Sequence, residues 1–107
     1  MFPSLDPVLH APARLQLALL LEGAGRSLTF PELQQLTETT AGNLSTHLRK
    51  LEEAAYVAVS KDYDGRTPVT RVQLAAGGRD GLASYRQAMN RHLDERFVEE
   101  LLKEVEG

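Results

Sequence analysis

The sequence has no cysteine. That removes disulfides, thiolate-ligated zinc and cysteine nucleophiles together, and it fits a reducing compartment. Long apolar runs are also missing. The most hydrophobic stretch, Leu15 to Leu21, is interrupted by Gln16 and falls far short of the ~20 residues a membrane-spanning helix needs. The N-terminal residues, MFPSLDPVLHAPARL, carry neither the basic start nor the apolar centre of a secretory leader, so a cytoplasmic protein is expected, with no membrane partner. No nucleophile elbow, phosphate loop or pair of catalytic carboxylates is present, and Gly77-Gly78 is too little to cradle a phosphate; neither catalysis nor a cofactor is expected. The three histidines, His10, His47 and His92, show no ligand spacing beyond the single H-x-x-E of His92 and Glu95. A zinc site needs three or four ligands, so no metal is expected.

What is present amounts to one domain, with an extra element available for a partner: 107 residues, 42% apolar and 25% charged. The net charge of −3 would argue against a polyanionic partner if it were evenly spread. It is not. Residues 94–107 hold six acids against two bases, net −4, which leaves ten bases and nine acids, net +1, for residues 1–93. Between Thr39 and Leu51 there are two basic residues and no acid, and the local patch decides what a surface attracts.

Asp6-Pro7 reads as a helix start, giving a short turn of helix at 6–10, and Ala11-Pro12 restarts the chain into a firm helix at 12–23 that Gly23 and Gly25 end. Leu28-Thr29 reads as a very short strand, and Thr29-Phe30-Pro31-Glu32 has the capping-box form that opens a helix near 30–37. After a polar turn, Thr40 caps a helix over about 41–54, in which Leu44, Leu48, Leu51 and Ala55 form one buried stripe. The opposite face carries Gly42, Thr46, Arg49, Lys50 and Glu53, with Asn43 and Ser45 at its shoulders. Residues 57–74 read as a β-hairpin turning at Asp64-Gly65, with Pro68 confined to an edge or a loop flank. From 76 to 105 the pattern is helical: Leu82, Tyr85, Met89, Leu93, Phe97 and Leu101 step by three or four. One helix of that length would run about 45 Å, too long for so small a core to cover.

Helix, helix, helix, hairpin, long helix is the order of a winged helix-turn-helix: mainly α with a small β-hairpin, and with a long C-terminal dimerisation helix. On this reading residues 1–75 form the DNA-binding domain, with its wing at 57–74, and 76–107 the dimerising helix. The third helix would enter a major groove, and Lys61, Arg66 and Arg71 of the wing would lie beside phosphates or the adjacent minor groove.

The segments DPVLHAPARLQLALLLEGAG and GNLSTHLRKLEEAAYVAVSKDYDGRTPVTRVQL also resemble the small winged-helix transcriptional regulators related to the MarR and ArsR groups, over about residues 5–88. The resemblance implies a homodimeric cytoplasmic regulator that binds double-stranded DNA. Carried over by position, Thr40, Asn43, Ser45, Thr46, His47, Arg49 and Lys50 would face DNA, joined by Lys61, Arg66 and Arg71. Two places depart from the pattern. Ala55 stands where a glycine is usual, and Ala75-Ala76-Gly77-Gly78-Arg79 replaces the usual Thr-Pro-Glu-Gly-Arg helix start.

Plainer readings stand beside these. Arg49 and Lys50 also fit an ordinary solvated pair, His47 a boundary residue that merely packs, and Lys61 and Arg71 partners for Asp62 and Asp64. The stripe of Leu82, Tyr85, Met89, Leu93, Phe97 and Leu101, with Leu5, Val8 and Leu9, would make the dimer interface. The groove among Leu5, Val8, Leu9, Tyr85 and Met89 would suit a small apolar effector. The alternative function is a non-catalytic winged-helix module for protein–protein interaction.

Overall fold

The computed structural model covers residues 1–107. Helix α1 (Pro12–Ala24) begins at a proline, whose missing N–H costs nothing in a first turn, and stops where Gly25 turns left-handed at φ 64°. The expected helix at 6–10 is a single turn, closed by the His10 N–H on the Asp6 carbonyl (2.7 Å) and by the Val8 N–H on Asp6 Oδ1 (2.8 Å). After strand β1 (Leu28–Thr29), helix α2 (Phe30–Thr37) is opened by a complete capping box. Thr29 Oγ1 accepts from the Glu32 N–H at 3.2 Å, and Glu32 Oε1 accepts from the Thr29 N–H at 3.1 Å. Helix α3 (Ala41–Glu53) is capped by Thr40, whose hydroxyl accepts from the Asn43 N–H at 3.2 Å.

The end of α3 shows what the missing glycine does. The Ala55 N–H bonds to the Glu52 carbonyl and the Tyr56 N–H to the Leu51 carbonyl, each at 2.9 Å, the paired pattern that normally seats glycine at the left-handed position. Here Ala55 occupies it, at φ 62°. A Cβ in that region costs about 1 kcal/mol or more. Ala55→Gly should therefore raise stability by about 1 kcal/mol, moving the melting temperature up by roughly 4–8 °C. An unchanged or lower melting temperature would mean that the strain is relieved elsewhere.

Strands β2 (Val57–Asp64) and β3 (Thr67–Leu74) form the expected hairpin, joined by Gly65 and Arg66, with Gly65 at φ 65°. The sheet has three strands rather than two, in the order β1-β3-β2, because β1 pairs with the far edge of β3 through Leu28↔Val72 and Thr29↔Arg71. Pro68 lies beyond that pairing, opposite Tyr63, so its lack of an N–H breaks no second ladder. One core joins Leu17 and Leu21 of α1, Leu33 of α2, Leu44, Leu48 and Leu51 of α3, and Leu28, Val57, Val72 and Leu74 of the sheet.

The C-terminal segment differs from the single long helix expected. It is two helices, α4 (Ala76–Leu93) and α5 (Glu95–Glu106), separated at Asp94. Asp94 has extended backbone (φ −80°, ψ 111°), and its Oδ1 accepts from the Arg96 N–H at 3.0 Å, capping the new helix. The N-terminal residues strap this elbow. Phe2 stacks on His92 at 5.0 Å and meets Phe97 edge-on at 5.2 Å, while the His92 Nε2–H donates to the Pro3 carbonyl at 2.8 Å. The Arg91 guanidinium covers Phe97, 4.3 Å from its ring centre. Beyond the elbow α5 projects from the body, and the molecule measures 70 × 25 × 21 Å.

Candidate nucleic-acid interface

Three leucines at positions 44, 48 and 51 fix the rotation of α3 by burying one side of it. The opposite side is thereby turned outward: Asn43, Ser45, Thr46, Arg49 and Lys50 are all exposed. The first turn carries no acid, and a Cβ at Gly42 would have nothing within 4 Å, so the positive end of the helix is open to an approaching anion. Two of the hydroxyls are already committed. Thr40 caps the helix, and Thr46 donates to the Gly42 carbonyl at 3.0 Å. The four ion pairs of the molecule use Arg26, Arg71, Arg86 and Arg96. Arg49, Lys50, Lys61 and Arg66 therefore stand without a carboxylate partner.

His47 is half-buried at the seam with α1. Arg14 Nη1 lies 3.4 Å from its Nδ1, and the same arginine donates through Nε to the Val8 carbonyl at 2.7 Å. Burial, and then the charges of Arg14 and Lys50, hold the imidazole below its ordinary pKa, which favours the neutral ring. His47 thus borders a cavity of about 110 Å³ lined by Ala13, Leu17, Thr37 and Thr39. Sequence reading passed over Arg14, because nothing in a helix-period pattern announces that a residue 33 positions away is its neighbour.

The wing sorts its charges by face. Side chains alternate along a strand, and directly paired residues point the same way. Val57, Val59, Lys61 and Tyr63 therefore share the core side of β2, the side on which α3 packs, with Thr70 and Pro68 opposite Lys61 and Tyr63. Asp62 and Asp64 occupy the other side, as does Arg71, which pairs loosely with Asp62 at 3.9 Å. Asp62 is further occupied by the Tyr63 N–H, bound at 2.8 Å. Arg66 lies in the exposed turn.

The expected interface residues divide in the same way. Leu9 and Leu82 are fully covered by their own chain, Tyr85 and Phe97 nearly so, and Leu5, Val8 and Met89 pack against the core. That fills the groove expected to hold an apolar effector. The cavity touching Tyr85, of about 330 Å³, is polar instead, with Ser4, Asp6, Asp80 and Ser84 in its lining. Its shape depends on Tyr56, whose hydroxyl donates to Asp6 and whose pKa that contact pushes up to about 12. What remains uncovered lies at the elbow and on α5: Leu93, 72% exposed, then Leu101, half-buried, with Leu102 and Val105 exposed beside it.

The sequence profile of the winged helix DNA-binding domain family matches residues 13–93 of this chain. The chain belongs to that family. Solved structures share this fold over most of the chain. A transcriptional regulator homologue from Pyrococcus horikoshii OT3 superposes with a TM-score of 0.75 at 28% identity, covering 81% of this chain and 85% of that one. A possible transcriptional regulator for arsenical resistance gives 0.57 at 25% identity, over 90% and 91% of the two chains. The haem sensor protein PefR from Streptococcus agalactiae shares the fold at 13% identity, with a TM-score of 0.62 over 94% of this chain and 74% of that one. No curated protein sequence matches this winged helix. None of its helices is long and apolar enough to cross a membrane.

Proposed function

We propose that this protein is a cytoplasmic, sequence-specific transcriptional regulator that binds double-stranded DNA as a homodimer and represses by occupying promoter DNA. The observation that carries the reading is the outer face of α3: exposed, free of acids along its first two turns, and bearing two unpaired cations. Asn43, Thr46 and Arg49 would reach base edges in the major groove, while Ser45, Lys50 and Arg66 hold phosphates. Residues 1–75 act as the DNA-binding unit. The exposed apolar residues at the elbow and on α5 provide a self-complementary surface for a two-fold dimer, which suits a palindromic site with half-sites about one helical turn apart. Two structural relatives, a transcriptional regulator homologue and a possible transcriptional regulator for arsenical resistance, support the same reading.

The test is fluorescence anisotropy of the protein against fragments of its own upstream DNA and scrambled controls, at two salt concentrations. A regulator of this kind binds one fragment tightly and loses affinity steeply as salt rises, because phosphate contacts release counterions. A folded protein that binds no duplex even at low salt would instead be a protein-interaction module.

A further inference from the structure

Tyr63 is the one aromatic side chain on the wing, and nothing in the chain covers it: it is 68% exposed. Ser60 through Pro68 are all exposed, so this part of the hairpin projects beyond the core as a free arm. An uncovered aromatic on such an arm gains nothing from folding, since its ring leaves little apolar area buried. Its surroundings are nonetheless ordered toward one side. The ring shares the α3 side of the sheet with Lys61, and Pro68 sits directly across the ladder from it. The two wing carboxylates that would repel a phosphate backbone lie on the reverse side, Asp62 being held there by Arg71 and by the Tyr63 N–H.

From this arrangement we infer that Tyr63, backed by Pro68, is a DNA-contacting residue: an apolar wedge that enters the minor groove beside the major groove read by α3, with Lys61 on the flanking phosphate. The inference rests on the DNA-binding reading above. A projecting arm beside a helix seated in the major groove meets the next groove along, and minor grooves accept apolar side chains at flexible base steps. The contact would extend recognition to base pairs outside those α3 touches. Arg71, on the reverse face, would contribute to holding Asp62 aside rather than to contact.

The probe is a duplex selected by the wild-type protein from a random-sequence pool, used whole and also cut back to remove the flanking base pairs. Tyr63→Ala should melt as the wild type does, bind the whole duplex about tenfold more weakly, and match the wild type on the shortened one. Tyr63→Phe, which keeps the ring, should retain most of the affinity. The chain has no tryptophan, so Tyr63→Trp supplies a single reporter whose emission should change with the whole duplex and not with the short one. Unaltered affinity of Tyr63→Ala for the whole duplex, while substitution at Lys50 still weakens binding, would overturn the wedge and leave the DNA reading standing. Failure of the wild type to select any duplex would overturn both.

Discussion

Gly78→Ala should lower the melting temperature by about 12 °C or more, which corresponds to roughly 3 kcal/mol for a domain of this size. Helix propensity alone says the reverse, since alanine is favoured over glycine inside a helix by about 1 kcal/mol. The sign is decided by space. Gly78 is buried in the first turn of α4, where that turn rests directly on the backbone leaving α3. A Cβ there would overlap the Tyr56 carbonyl oxygen and stand 2.5 Å from Leu74 Cδ1. The Leu74 methyl can turn aside, but the Tyr56 backbone cannot. The Tyr56 carbonyl accepts from the Ala75 N–H at 3.0 Å, and the Tyr56 N–H is tied to the Leu51 carbonyl at 2.9 Å. Gly77 is next in severity, its Cβ falling 2.7 Å from the Ala55 carbonyl oxygen. The glycines that look like a weak helix start in the sequence are thus what lets α4 approach the backbone leaving α3 at all. Thermal melting followed by circular dichroism decides the matter, and a Gly78→Ala protein as stable as the wild type would show that the close approach is not required.

Replacing both Arg49 and Lys50 with alanine should weaken binding to the selected duplex about a hundredfold, each change contributing about tenfold. Both side chains are exposed and outside every ion pair of the molecule, so the melting temperature should hardly move. The two losses should differ in kind. Lys50→Ala removes a phosphate contact and should lower the salt slope by about 1 without changing which duplex is preferred. Arg49→Ala should also relax the preference at one base pair. Anisotropy titrations over a salt series separate these effects. Normal melting with undiminished affinity in both single variants would remove this face of α3 from the interface.

Most of the winged helix was legible in the sequence, because each of its parts has a local signature. The leucines of α3, the capping box at Thr29 and Glu32 and the turn at Gly65 state their structure within a few residues. The elbow was not legible, since the apolar steps from Leu82 to Leu101 run straight through it and only Asp94 marks the break. A one-residue cap is easily outvoted by a periodic stripe. The exposed face of α3 could be read from its own period, but the sorting of wing charges could not. Alternation alone separates Lys61 from Asp62, but which of the two shares the α3 side of the sheet, and that Arg71 falls on the Asp62 side, depends on pairing register. The burial of Leu9, Leu82 and Tyr85 was equally hidden, because a stripe looks the same whether its partner is another chain or the first residues of its own.

The strap across the elbow bears on the order in which the molecule can assemble. The helix-turn-helix and the hairpin close contacts between near neighbours, which form early and at small entropic cost. Pro3 finds His92 only across 89 positions, Phe2 reaches past it to Phe97, and His10 finds Tyr85 across 75. These closures are distant in sequence, so in a collapsing polypeptide the helix-turn-helix and hairpin are favoured to take shape first and the angle of α5 to be set last, when Phe2 and Pro3 meet His92 and Phe97.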